Sequence, residues 1–247
     1  GANNLILCVG GSASVDGGIG ALREMGLTIV NNSPNRNYIT DIKGINTELL
    51  QQKFKEIHIT ILCDVDNPIC GPEGAAAVFA PQKGASPEQI IMLDNQLCLW
   101  SDLLKQNTGK DITQLKHGGA AGGITAAMYA LLNAQLISGS EYCLTLSRFH
   151  DNLLQAGVVI TGEGKIDLQS FYGKIPGTVA NLCQKHNVPV YAVVGLAEKQ
   201  VLTRFDKVFI MSQYTRSIQD SIKNAPHYLK IISQAIVDTL YLSAYSD

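Results

Sequence analysis

Residues 5–18 read Leu5-Ile6-Leu7-Cys8-Val9-Gly10-Gly11-Ser12-Ala13-Ser14-Val15-Asp16-Gly17-Gly18. An apolar run of strand length stops at a glycine-rich, acidic turn, and an apolar helical pattern follows at 19–25. Further apolar runs behave the same way: 57–63 before Asp64-Val65-Asp66-Asn67-Pro68, 158–161 before Gly162-Glu163-Gly164-Lys165, 190–194 before Gly195, and 208–211. Helical periodicity fills the intervals at 87–106, 124–136, 176–186 and 218–241. Buried strands alternating with amphipathic helices predict an α/β fold with parallel sheets covered on both faces. The polar, turn-rich stretch 31–44 predicts an exposed excursion rather than a domain linker.

The 247 residues, 46% hydrophobic and 16% charged, suffice for one large or two modest domains. With 19 Lys+Arg against 21 Asp+Glu and no basic cluster denser than Lys53–Lys55, a nucleic-acid-binding surface is not expected. No apolar run approaches the roughly 20 residues that span a bilayer, and the opening stretch carries no signal-peptide pattern, so no membrane association is expected. Six cysteines without a CxxC pair, several inside apolar runs, read as free thiols of a reducing, cytoplasmic compartment.

Ligands of α/β proteins bind beyond the carboxyl ends of the strands, and four loops fall there. In the first, Gly11, Ser12 and Ser14 suit an anion, with amides and hydroxyls as donors; a tight strand-to-helix turn capped by Asp16 fits equally. In the second, Asp64 and Asp66 suit a hard cation or a hydroxyl, although such residues also simply make turns. Lys83, further on, is either a cation of this loop or an ordinary surface lysine. In the third, His117-Gly118-Gly119-Ala120-Ala121-Gly122-Gly123 opens a helix and suits phosphate cradling or close helix packing. It is not a P-loop, because no GxxxxGK[ST] occurs, and His117 reads as a loop histidine.

The fourth loop, Thr161 to Asp167, mimics the start of a dinucleotide fingerprint. Asp167 occupies the place of the third glycine and would repel a pyrophosphate, so NAD binding is rejected. Glu163, Lys165, Asp167, Ser170 and Lys174 instead crowd charge and polarity beside a strand end, which favours a site for a charged small molecule.

Taken together, GGSASVDGGIGALREMG (10–26), CDVDNPICGPEGAAAVFAPQKGAS (63–86), HGGAAGGITAA (117–127) and VVITGEGKIDLQSFYGKIPGTVA (158–180) resemble, in this order, the signature segments of the type-1 glycerate kinase family. The likeness covers most of the chain and weakens after Gly195. Val15 stands where Asn is usual, Lys165 where Arg is usual, Leu168 where Gly is common, and His117 replaces a small residue.

The resemblance implies ATP-dependent phosphorylation of D-glycerate, usually at the 2-hydroxyl, with Mg2+. It also implies two α/β domains around a cleft: a discontinuous Rossmann-like domain (here 156–247) and a domain inserted within it (here 1–155). Laid over that chemistry, Glu163 and Asp167 are expected to bind magnesium or orient the hydroxyl. Lys165 and Lys174 are expected to neutralise phosphate or carboxylate, with Ser170 beside them. Asp64 and Asp66 would line the opposite side, Asp66 as base. The backbones of Gly11–Ser14 and of Gly118, Gly119 and Gly122 would hold anionic groups. The family's opening lobe, with its APDSFKG-like and ADGGEGT-like segments, has no counterpart in this sequence. The expectation is therefore a chain lacking part of the Rossmann-like sheet, with exposed edges that pair into homodimers. The alternative is a catalytically silent remnant that binds glycerate or nucleotide.

Overall fold

The computed structural model describes residues 1–31 and 42–244. The chain divides into two compact units, Gly1–Tyr142 and Cys143–Asp247. Both are α/β, built on parallel sheets.

In the first unit, β1 (Asn4–Cys8) leads through the glycine-rich turn into α1 (Ile19–Met25). An antiparallel pair follows, β2 (Thr28–Asn31) with β3 (Ile42–Asn46), Thr28 opposite Asn46. Most of the expected excursion, residues 32–41, lies outside the described residues. Next come α2 (Glu48–Phe54), β4 (His58–Cys63), α3 (Ala75–Phe79), α4 (Pro87–Thr108), α5 (Ile124–Leu132) and β5 (Gln135–Ser138). The parallel sheet has the order β1-β4-β5, with Leu5 opposite Ile59 and Ile61 opposite Leu136.

Alternation along β4 buries Ile59, Ile61 and Cys63, which share one core with Leu97, Trp100 and Leu104 of α4. The ends of α4 are set by local chemistry. Ser86 Oγ accepts from the Gln89 amide, Gln89 Oε1 accepts from the Ser86 amide, Pro87 opens the first turn, and Gly109 closes the last in a left-handed conformation.

Three sequence expectations are corrected here. The 5–9 run is an edge strand rather than a buried one: among the described residues β1 pairs with β4 alone, leaving Leu5 and Ile6 39% and 48% exposed. The helix expected over 124–136 stops at Leu132, because Asn133 turns left-handed (φ 55°) and redirects the chain into β5. Lys110 Nζ donates to Asn133 Oδ1 and to the Tyr129 carbonyl, which holds that turn.

In the second unit, α6 (Gly139–Leu146) crosses the division, followed by α7 (Phe149–Leu153), β6 (Val159–Ile166), α8 (Ile175–Lys185), β7 (Val190–Ala197), β8 (Lys207–Ile210), α9 (Ile218–Lys223) and α10 (Ala225–Ala244). The parallel sheet runs β6-β7-β8. Leu144, Phe149 and Leu153 pack in one core with Val190, Ala192 and Val194. The third correction concerns 218–241, which is two helices broken at Asn224. Ser217 Oγ caps the first, and Asn224 Nδ2 bonds back to Asp220.

No helix among the described residues is long and apolar enough to cross a membrane. All six cysteines are free, with Cys63, Cys70 and Cys183 buried and Cys8 and Cys143 exposed. Burial, reinforced by the Asp64 carboxylate, pushes the Cys63 thiol up to about 12; burial pushes Cys70 to about 12 and Cys183 to about 11. In the native protein at about pH 8, the exposed Cys8 and Cys143 are expected to react rapidly with dithionitrobenzoate. Cys63, Cys70 and Cys183 are expected to react only on unfolding. Rapid native labelling of Cys63, mapped by mass spectrometry, contradicts the core described above.

Candidate active site

Three segments meet beyond the carboxyl ends of β1 and β4: the 10–18 turn, the 64–68 turn and the 117–123 turn that opens α5. Their backbones bond to one another. The Gly17 amide donates to the Gly122 carbonyl at 2.9 Å, and the Gly119 amide donates to the Asn67 carbonyl at 2.8 Å. His117 is buried, and its Nδ1 lies 2.7 Å from the Val65 carbonyl and 3.3 Å from Asp66 Oδ1. Two acceptors on one nitrogen make Nδ1 the protonated, donating atom. Trp100 Nε1 donates to the Gly17 carbonyl at 3.1 Å from the core below.

Gly122 is where the contact becomes obligatory. Its φ is +73°, and a Cβ there would sit 2.3 Å from the Ser14 carbonyl oxygen. The adjacent Ala121 is left-handed as well (φ 49°), a conformation non-glycine residues adopt at a cost and often at functional sites.

The turns enclose a cavity of about 450 Å³ lined by Gly10, Gly11, Ser12, Asp64, Lys83, Ala121 and Gly122, with Val9, Val65 and Phe79 as apolar wall. Lys83, just beyond α3, reaches in: its Nζ donates to Ser12 Oγ at 3.0 Å and to the Ser14 carbonyl at 2.7 Å. Partial burial lowers its pKa, opposed by the nearby Asp16 carboxylate.

Of the sequence candidates, Gly11, Ser12, Asp64 and Gly122 line this one cavity. Asp66 does not join them: it is half exposed and turned toward Lys116 and His117. The Gly118 and Gly119 amides are spent on the Leu115 and Asn67 carbonyls. Ser14 contributes its carbonyl to Lys83, and its residue lines a smaller neighbouring hollow with Asp16. Asp16 accepts from the Gly18 and Gly20 amides, so the capping role holds alongside the site.

The fourth group of candidates belongs to the second unit. Residues 162–166 are not a loop but the second half of β6, with Glu163 opposite Val194 and Lys165 opposite Leu196. Gly162 permits this pairing, because a Cβ there would lie 2.3 Å from the Val193 carbonyl. Strand alternation puts Glu163 and Lys165 on one face.

Lys165 Nζ is shared by Asp167 Oδ2 at 3.1 Å and Glu198 Oε1 at 3.0 Å. Those bonds, Glu198 first, raise the lysine, and the Lys165 bond lowers Asp167. Asp167 also accepts from the Gln169 amide, while Ser170 Oγ accepts from the Asp167 amide. Ser170 is fully buried, so its hydroxyl caps a turn instead of facing a ligand. Lys174 is exposed at the start of α8.

Glu163 stands apart: its Oε1 is buried without a hydrogen-bond partner among the described residues. A buried carboxylate oxygen left bare is costly and calls for a cation or donor. It fits magnesium, a hard oxygen-seeking ion that takes one or two carboxylates plus phosphate oxygens and water. Asp167 fits less well, with both oxygens engaged. No cluster of three His, Cys, Asp or Glu that could hold a metal exists among the described residues.

Sequence reasoning missed Glu198, which is brought to Lys165 only by the β6–β7 pairing, and left Lys83 undecided. The Pro81-Gln82-Lys83-Gly84 turn is the one local signal for Lys83, as it stops the chain where the side chain faces the cavity.

A family model described as the glycerate kinase family matches residues 1–241. A glycerate 2-kinase of Escherichia coli (strain K12) is 38% identical over 200 residues, covering 79% of this chain and 52% of that protein. A glycerate kinase of Haemophilus influenzae is 34% identical over 249 residues, covering 97% and 66%. The crystal structure of a protein assigned as glycerate kinase 2 from Salmonella typhimurium LT2 superposes with a TM-score of 0.75 at 33% identity, covering 100% of this chain and 66% of that one. The chain thus spans about half to two thirds of the length of the relatives it matches.

Gly122→Ala is expected to destabilise the protein by at least about 2 kcal/mol, combining left-handed strain with overpacking against Ser14. Equilibrium denaturation measures this, and an unchanged midpoint contradicts the described contact.

Proposed function

The chain belongs to the glycerate kinase family, and from that premise we propose that it serves ATP-dependent phosphorylation of D-glycerate. In this reading the 2-hydroxyl attacks the γ-phosphorus, the bond from that phosphorus to the β,γ-bridging oxygen breaks, and ADP, 2-phosphoglycerate and a proton are released. The observation that carries the reading is the convergence of three family-signature segments on one cavity that holds hydroxyl, amide, cationic and carboxylate groups.

Phosphoryl transfer asks for positioning and charge neutralisation more than covalent chemistry. In the first unit, Gly11, Ser12 and Gly122 contact anionic oxygens. Asp64, the carboxylate that lines the cavity, takes over the hydroxyl-orienting and proton-accepting role expected of Asp66. In the second unit, Glu163 is the residue that would hold magnesium, with Lys174 as an uncommitted cation for phosphate or carboxylate. Lys165 is already shared by Asp167 and Glu198 and keeps that acidic pair in place. Magnesium, when bound, supplies charge neutralisation of the phosphate oxygens. The resemblance assigns 156–247 to the Rossmann-like domain and 1–155 to the inserted one. Six free thiols suit a cytoplasmic location.

The test is ADP release from Mg-ATP with and without D-glycerate, on wild type and Glu163→Gln. Glycerate-dependent turnover that falls about a hundredfold or more in Glu163→Gln is the expected result, in line with the loss of one preorganised electrostatic group. Wild-type turnover in the variant removes Glu163 from the machinery. Binding of glycerate or nucleotide without turnover favours the silent-remnant reading. Light scattering on the same preparation reports whether the exposed β1 edge pairs into a homodimer.

A further inference from the structure

Lys83 is a partly buried cation whose hydrogen-bond partners, Ser12 Oγ and the Ser14 carbonyl, are both neutral. It forms no salt bridge with any carboxylate among the described residues; the other cavity charge, Asp64, is not within ion-pair distance of it. Withdrawing an ammonium from water without a counter-charge is costly unless something compensates it. The compensation available inside the chain is partial: two dipolar acceptors and, farther off, Asp16, whose carboxylate is engaged by the amides of Gly18 and Gly20.

The surroundings explain what the missing partner is. Ser12 Oγ accepts from Lys83, so its own hydrogen remains to be donated. The amides of Gly10, Gly11 and Ser12 follow the end of β1 and make none of the backbone bonds that tie the neighbouring turns together. Across the cavity, Ala121 and Gly122, both left-handed within the 3-10 turn Ala120–Gly123, form the facing wall. One cation, one hydroxyl hydrogen and the amides that follow β1 therefore border the same space.

Resting on the kinase reading above and deepening it, we propose that Lys83 is the oxyanion-binding cation of this cavity. It is held by Ser12 and Ser14 until a phosphoryl or carboxylate group of the ligand supplies the counter-charge. Both sources present the same chemistry, an anionic oxygen that accepts from an ammonium, a hydroxyl and amides. Lowering of the Lys83 pKa by burial agrees with a cation that lacks a full partner; an anion bound beside it is expected to reverse that shift.

The test is calorimetric titration of the full chain with inorganic tripolyphosphate in one arm and D-glycerate in the other. It compares wild type, Lys83→Met and Lys83→Arg. One charge-assisted hydrogen bond corresponds to roughly ten- to a hundredfold in affinity. Lys83→Met is expected to weaken one of the ligands by that factor, with Lys83→Arg recovering part of it. Loss confined to tripolyphosphate identifies a phosphate-chain seat, and loss confined to D-glycerate identifies a carboxylate seat. Equal affinity of wild type and Lys83→Met for both ligands overturns the proposal, as does a wild type that binds neither.

A second measurement needs no variant. Lysine acetylation of the wild-type chain, read by mass spectrometry, is expected to fall at least fivefold at Lys83 on saturation with the ligand that binds. Lys105, paired with Asp111 outside the cavity, is expected to stay unchanged. Unaltered labelling of Lys83 overturns the proposal. These outcomes are separable from the kinase reading. Turnover with unmoved affinities in Lys83→Met removes the role of Lys83 alone, whereas Lys83-dependent anion binding without turnover removes the kinase alone.

Discussion

The backbone of Gly122 pressed against the carbonyl of Ser14 is the contact on which the first unit's cavity depends. A glycine there lets the turn that opens α5 lie directly on the turn that follows β1, and the Gly17 amide fastens the two by bonding the Gly122 carbonyl. Because Ser14 is held in this way, its carbonyl is where Lys83 Nζ can reach it, and Ser12 is presented beside it. Trp100, fully buried, bonds the Gly17 carbonyl and so ties this arrangement to the core. A single steric allowance thus propagates outward from chain path to side-chain position.

Charge is distributed differently in the second unit. Lys165 is drawn between Asp167 and Glu198, and Asp167 is further used in capping the turn that follows β6. Such pairs keep each other ionised but have little left to offer a ligand. Glu163, on the same strand face, keeps a buried oxygen without a partner. Within one dense acidic and basic stretch, the packing separates Lys165 and Asp167, which satisfy each other, from Glu163 and Lys174, whose side chains have no hydrogen-bond partner among the described residues.

Much of the α/β reading was legible because it rested on local chemistry. Helical periodicity over 87–106 bounded α4 to within two residues, and the apolar run 57–63 marked β4. What was not legible depended on partners distant in sequence. Gln135–Ser138 continues an apolar pattern that a helix could also use, and only the left-handed Asn133 and the pairing with β4 make it a strand. Gly162 to Ile166 looked like a glycine-rich loop because the close approach of β7, which those glycines accommodate, leaves no mark in the local sequence.

The site divides along the same line. The sequence offers residue types that suit anions in the 10–18 turn, but Asp64 and Asp66 are distinguished only by which way the turn faces once His117 binds Val65 and Asp66. Ser170 and the Gly118 and Gly119 amides carry the right chemistry for a ligand and spend it on the fold.

The central claim is that the turns after β1 and before α5 form one anion-binding cavity. The most direct measurement is a titration of the isotope-labelled chain with inorganic tripolyphosphate, followed by amide nuclear magnetic resonance. The account predicts that Gly10, Gly11, Ser12, Ala121 and Gly122 shift together and saturate with one dissociation constant. Shifts confined to one of the two turns, or saturating with different constants, would contradict it.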